Sequence, residues 1–223
     1  QYRTSVSEVT DVNVINANAW VQTAINLGTQ KEVEPFDKKK LLEAIPEIRS
    51  MTVQNPKDFY PRLRDLLASC GVALVLLPNL KNCGVNGAVK WLGKDKVVLA
   101  FNDRRKYADT FWFALFHELG HVLQQRIKVL LVSEIKKAGL ETDDLIQRLE
   151  TEADTFSQNT LIPKPEYDEF LMMNRRGFTA EAIRSFAARM NVIPGIVVGR
   201  LQHDGYLTNQ TMLNSLKIKY VIG

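Results

Sequence analysis

Apolar residues recur at helical spacing from Ala17 to Leu27, and Gly28 follows as a residue favoured just past a helix end. Asp37 is suited to cap a helix through Ile45 and Ile48. Asn55-Pro56 sets a capping residue before a proline at the first helical position. From there Phe59, Leu63, Leu66, Leu67 and Cys70 form one stripe. The pattern then changes. The run GVALVLLP (71–78) is short, apolar and bounded by Gly and Pro, which predicts a buried strand. GAVKWL (87–92) and KVVLAFN (96–102) flank Gly93-Lys94-Asp95, predicting a hairpin with a short turn. Helices are predicted over about 104–125 and 143–159, and Pro163 and Pro165 break the chain. Thr179 caps a helix through Met190, and Asn191 to Pro194 turn into another that ends at Gly205. A last helix is expected from about Thr208 to Lys219, whereas the first fifteen residues have no clear period and read as a tail. The whole predicts an α+β fold, mostly helical, with one small antiparallel sheet of about three strands.

Composition narrows the class. The chain has 223 residues, 45% hydrophobic and 24% charged, which is ordinary globular usage. A chain of this size buries roughly 70% of its unfolded surface, so disorder, collagen and disulfide scaffolds are excluded. No apolar run approaches the ~18 residues of a membrane helix. The start has no basic patch followed by an apolar stretch, so no signal peptide is visible and a cytoplasmic protein is expected. Gln1 is not a Met, which suggests a piece of a longer chain. Cys70 and Cys83 are then expected to be free thiols. The net charge of +4 is compatible with nucleic-acid contact but does not imply it.

Two of the three histidines lie in His117-Glu118-Leu119-Gly120-His121, an H-E-x-x-H motif preceded by the apolar FWFALF. Residues four apart on a helix share a face, with Cβ atoms about 5–6 Å apart. Two imidazoles so placed can grip one tetrahedral Zn²⁺. Glu118, beside the first of them, can act on a bound water without ligating the metal. The plainer alternative is two surface histidines around an ordinary helical Glu, and the apolar run before them argues against it.

A catalytic zinc takes three protein ligands and keeps one position open. Glu150 and Asp154 lie one turn apart on the downstream helix. Glu150 suits the third ligand, and Asp154 suits an acceptor that orients an imidazole. Glu152 is the rival ligand; two positions on, it points about 200° around the helix. The other nearby acids read as a solvated face.

LFHELGHVL, then E-x-E-A-D-x-F and LIP, resembles the ImmA/IrrE family of zinc metallopeptidases. FDKKKLLEAIPEIRSMT, GVALVLLPNL, GAVKWL and RKYADTFWF upstream, with IPGIVVGRLQHDG and LNSLK downstream, look like the version fused to HigA-type antitoxins and other helix-turn-helix regulators. The resemblance covers about residues 17–220. It implies a zincin, gluzincin-like core with Zn²⁺ held by His117, His121 and Glu150, Glu118 as the base and Asp154 behind. The implied organisation is a tail or linker at 1–16 from a missing N-terminal domain, a helical region at 17–70, a metallopeptidase core at 71–175 and a C-terminal helical region at 176–223. The implied partner is a protein substrate, a cognate toxin or repressor, in transcription regulation or a stress response. DNA would be met only through the missing domain, and a homodimer is a further possibility.

Other residues stay open between two roles. His203 could stabilise an oxyanion near the metal, or simply favour a helix C-terminus. Tyr107 and Arg104 are weaker candidates for the first task. Strand 86–92, with its small Gly87 and Ala88, is a candidate edge for an extended peptide, or a plain hairpin strand. The segment 126–142 could cover the site. Residues 186–201 also resemble a helix-turn-helix, although PGIVVGRLQ carries few groups that could read bases. The competing function is a non-catalytic zinc-containing antitoxin or sensor module of a DNA-binding regulator.

Overall fold

The computed structural model describes residues 2–4, 11–78, 80, 81, 83, 85–102, 107–138 and 142–220. The chain forms two compact units, one of residues 1–106 with 220–223, the other Tyr107–Lys219.

The first unit is a sheet flanked by helices. It contains β1 (Tyr2–Thr4), α1 (Asp11–Gln30), α2 (Lys38–Ser50), α3 (Pro56–Ser69), β2 (Val72–Leu77), β3 (Val85–Leu92) and β4 (Lys96–Asn102). The strand order is β1-β3-β4-β2. The hairpin β3–β4 is antiparallel as expected, from Gly87 opposite Phe101 to Leu92 opposite Lys96. The sheet is nevertheless mixed rather than antiparallel, because β2 pairs with β4 in parallel, Val72 opposite Val97. The chain leaves β2, passes to the far side of β4 and returns as β3, so β2 and β4 run the same way. Of the candidate edge at 86–92, the part up to Ala88 is covered: β1 pairs along Val85 to Ala88, beside the small residues Gly87 and Ala88.

Strand β4 is buried on both faces and is correspondingly a continuous apolar run. Val97 to Phe101 are all buried. Ala17, Trp20 and Ala24 of α1 join Val75, Val98 and Ala100 in one core cluster. Gly28 does not end α1; the helix runs to Gln30. A Cβ at Gly28 would lie 2.5 Å from Val98 Cγ2, so the glycine serves close packing. Lys96 Nζ instead satisfies the helix end, donating to the Thr29 and Lys31 carbonyls at 2.9 and 2.5 Å. Asp37 caps α2 as expected, its Oδ1 accepting from Lys39 N and Lys40 N. Cys70 and Cys83 are free and buried.

The second unit is helical: α4 (Ala108–Ala138), α5 (Thr142–Leu161), α6 (Lys164–Met173), α7 (Ala180–Met190) and α8 (Pro194–His203), then a 3₁₀ turn at Met212–Leu216. That turn replaces the long helix expected at 208–219. Pro163 and Pro165 do not merely break the chain; they begin α6, where a proline at the first turn forfeits no helical bond. Residues 126–138 of the expected cover continue α4 as helix. Residues 139–141, like Arg104 and residues 1 and 5–10 of the expected tail, lie outside the described residues. No described helix is long and apolar enough to cross a membrane.

Gly71 has φ +85° between α3 and β2, and a Cβ there would run into the Phe36 backbone. Gly71→Ala therefore combines a disfavoured φ with overpacking and should lower stability by about 2–4 kcal/mol. A denaturant midpoint within error of the parent would contradict this packing.

Candidate metal centre

The site lies wholly within the second unit, on α4 and α5. These helices run antiparallel, and their contacts form a ladder: Ser157 Oγ donates to Phe113 O at 2.9 Å, His117 meets Asp154, and Gln124 Nε2 donates to Leu149 O at 3.3 Å. Midway the backbones approach closely. A Cβ on Gly120 would lie 3.1 Å from Ala153 Cα, tighter than most contacts. A small residue on each side therefore brings the two helix faces together.

Across this junction the two histidines, one turn apart, face two carboxylates, one turn apart. His117 Nδ1 is 2.7 Å from Asp154 Oδ1. A carboxylate only accepts, so Nδ1 donates, and Nε2 is turned towards the cluster. His117 Nε2 and His121 Nε2 are 3.0 Å apart, and Glu150 brings Oε2 to 3.4 Å from the first and Oε1 to 3.3 Å from the second. His117, His121 and Glu150 offer one ligand atom each within 4.8 Å of one another and could hold a metal ion. Two imidazole nitrogens and a carboxylate are a donor set suited to a divalent ion. His117 is buried and Glu150 is partly open, so the cluster has a closed floor and an accessible side. Hydrogen bonds from His117 and then His121 hold the Glu150 carboxyl far below the usual carboxylate range, against the opposing effect of partial burial.

Glu118 sits within the same turn of α4, 6% exposed. Glu152 turns outward to Arg148 Nε at 3.1 Å and Gln124 Nε2 at 3.2 Å, away from the ligand atoms. His203 is exposed at the last position of α8 and is not among the converging ligands. Tyr107 is exposed beside the start of α4 and bridges to Lys219.

Two supports were not foreseen from the sequence. One is Gly120, whose place inside H-E-x-x-H faces the small Ala153. The other is the ion pair of Asp109, in the first turn of α4, with Lys217 Nζ at 2.8 Å. Asp109 is buried, and Ala108 N donates to Ile218 O, so the C-terminal segment anchors the start of the metal-site helix. The α7–turn–α8 segment has helix-turn-helix connectivity, with Asn191 left-handed at the turn. Gly195, Ile196, Val197, Val198, Arg200 and Leu201 of α8 are buried, so most of α8 packs into the fold.

Compared with known proteins, the chain matches no family model and no curated protein.

Glu150→Ala should abolish tight metal binding, Asp154→Ala should weaken it by about 10–100-fold, and Glu152→Ala should leave it unchanged in a chelator-competition titration. Greater loss from Glu152→Ala than from Glu150→Ala would place the wrong face of α5 at the site. Acidification should release the metal, because protons compete with it for the ligand atoms. Affinity that persists undiminished to pH of about 4 would contradict a centre held by histidines.

Proposed function

We propose that this chain is a zinc-dependent endopeptidase domain that hydrolyses one specific regulatory protein partner. The observation that carries the reading is the convergence of His117, His121 and Glu150, one ligand atom each within 4.8 Å of one another, with the buried Glu118 carboxylate one residue from the first ligand. Two imidazoles and a carboxylate, with no thiolate, are the donor set of a catalytic rather than a closed structural zinc site. The ordered resemblance to the ImmA/IrrE metallopeptidases supports the same conclusion, and it alone supports a regulatory substrate.

When bound, zinc supplies Lewis-acid polarisation of a carbonyl and lowers the pKa of water towards about 7. The protein's own groups do the rest. Asp154 fixes the tautomer and orientation of His117. Glu118 carries the proton: its carboxylate takes it from water and delivers it to the departing amine nitrogen. Water is thereby added across one amide bond, giving a carboxylate and an amine. Asp109 and Lys217 hold the start of α4 and so the position of the two histidines.

Glu118→Gln should keep the metal and lose hydrolysis by at least about 100-fold. The zinc-loaded protein and this variant are incubated separately with the candidate partner, and fragments are followed by mass spectrometry. Cleavage by the parent alone supports the reading. Equal cleavage by both removes Glu118 from the chemistry. An intact partner bound equally tightly by both supports an antitoxin or sensor instead.

A further inference from the structure

A cleft of about 560 Å³ opens where α6 gives way to α7. Its apolar walls include Met172, Phe178, Tyr206 and Leu207, and its charged groups are Arg175 and Arg176. Among the described residues no carboxylate lines it. The floor is built. Phe178 stacks on Phe170 at 5.7 Å, Phe170 stacks on Phe186 at 4.2 Å, and Tyr206 meets Phe178 edge-on at 6.3 Å. Gly177, at φ +135°, supplies the turn that folds Phe178 back onto this stack. The rim is exposed: Met172 is 59% and Tyr206 54% accessible.

The charge of the cleft is not cancelled by its neighbours. Asp168 is held by Lys164 at 2.6 Å, Glu169 by Arg189 at 3.0 Å and Asp204 by Arg200 at 2.7 Å. Glu181 lies in the first turn of α7, where the helix dipole favours an acid, and does not line the cleft. Two guanidinium groups therefore flank an aromatic floor under a flexible methionine rim. Arginine binds carboxylates in a bidentate fork, and arginine with exposed aromatics is the usual make-up of a binding hot spot. Methionine adapts to irregular apolar partners.

We propose that this cleft binds an acidic segment of a partner protein, with a large apolar side chain on Phe178 and Tyr206 and carboxylates on Arg175 and Arg176. A nucleic-acid strand is the poorer match. Its affinity comes from neutralising a run of phosphates, and only two cations line these otherwise largely apolar walls. The inference stands apart from the hydrolytic reading, since it needs neither a metal nor Glu118.

The test is fluorescence anisotropy with a labelled peptide carrying a Phe-Leu pair between Asp and Glu residues. The same peptide with Lys for every acid, and an oligothymidine of equal net charge, serve as comparisons. The acidic peptide should bind the full chain, with weaker binding as salt is raised. The Arg175→Glu/Arg176→Glu double variant should lose at least about tenfold in affinity, with metal content and thermal midpoint unchanged. Tyr206→Ser should also weaken binding, which charge attraction alone would not predict. The proposal is overturned if the acidic peptide binds the double variant like the parent, if the oligothymidine binds more tightly than the peptide, or if no peptide binding is seen up to about 1 mM.

Discussion

The close approach of α4 and α5 at Gly120 and Ala153 is the constraint on which the candidate metal centre depends. A Cβ added at Gly120 would already lie 3.1 Å from Ala153 Cα, so any side chain there presses on α5. At this separation one carboxylate, Glu150, reaches both His117 Nε2 and His121 Nε2, at 3.4 and 3.3 Å. The antiparallel register adds the second requirement. The one-turn spacing of the histidines matches the one-turn spacing of Glu150 and Asp154, so ligand and orienting group arrive together. The centre is a property of a helix pair, and no single residue or loop could supply it.

Such a cluster is costly to assemble. Three polar groups are drawn together with His117 buried, and each must be paired or ionised to remain there. The protein meets that cost by fixing the helices first. Asp109 is buried against Lys217 at the start of α4, and Ser157 ties α5 back to the Phe113 carbonyl. Removing one partner of the Asp109–Lys217 pair would leave a buried charge, so these supports stabilise the site's geometry as much as the fold. The same helical unit carries the basic aromatic cleft between α6 and α7, so the candidate metal centre and the proposed docking cleft share one framework.

Much of this was legible in the chain. The H-E-x-x-H spacing, the acidic pair one turn apart and the preference for Glu150 over Glu152 all follow from helical periodicity, and the structure groups His117, His121 and Glu150. The hairpin at Gly93-Lys94-Asp95 and the caps at Asp37 and Thr179 are local chemistry, readable from a few residues. What was not legible is long-range. The parallel pairing of β2 with β4 depends on which side of β4 the chain returns, which no local pattern encodes. Strand β1 sits in a stretch without periodicity and takes its place only by pairing with β3. Gly28 carries the mark of a helix end, yet its bare Cα answers to Val98, seventy residues away. The 208–219 segment has apolar residues enough for a helix, but its backbone is recruited to hold α4.

The most direct test of the metal centre is X-ray absorption at the zinc edge on the zinc-loaded protein. A first shell of nitrogen and oxygen at about 2.0–2.1 Å, with the outer-shell scattering of two imidazoles, is predicted. The imidazole signal should persist in Glu118→Gln. A sulfur shell at about 2.3 Å, or a shell of oxygen without imidazole, would contradict a centre built from His117, His121 and Glu150.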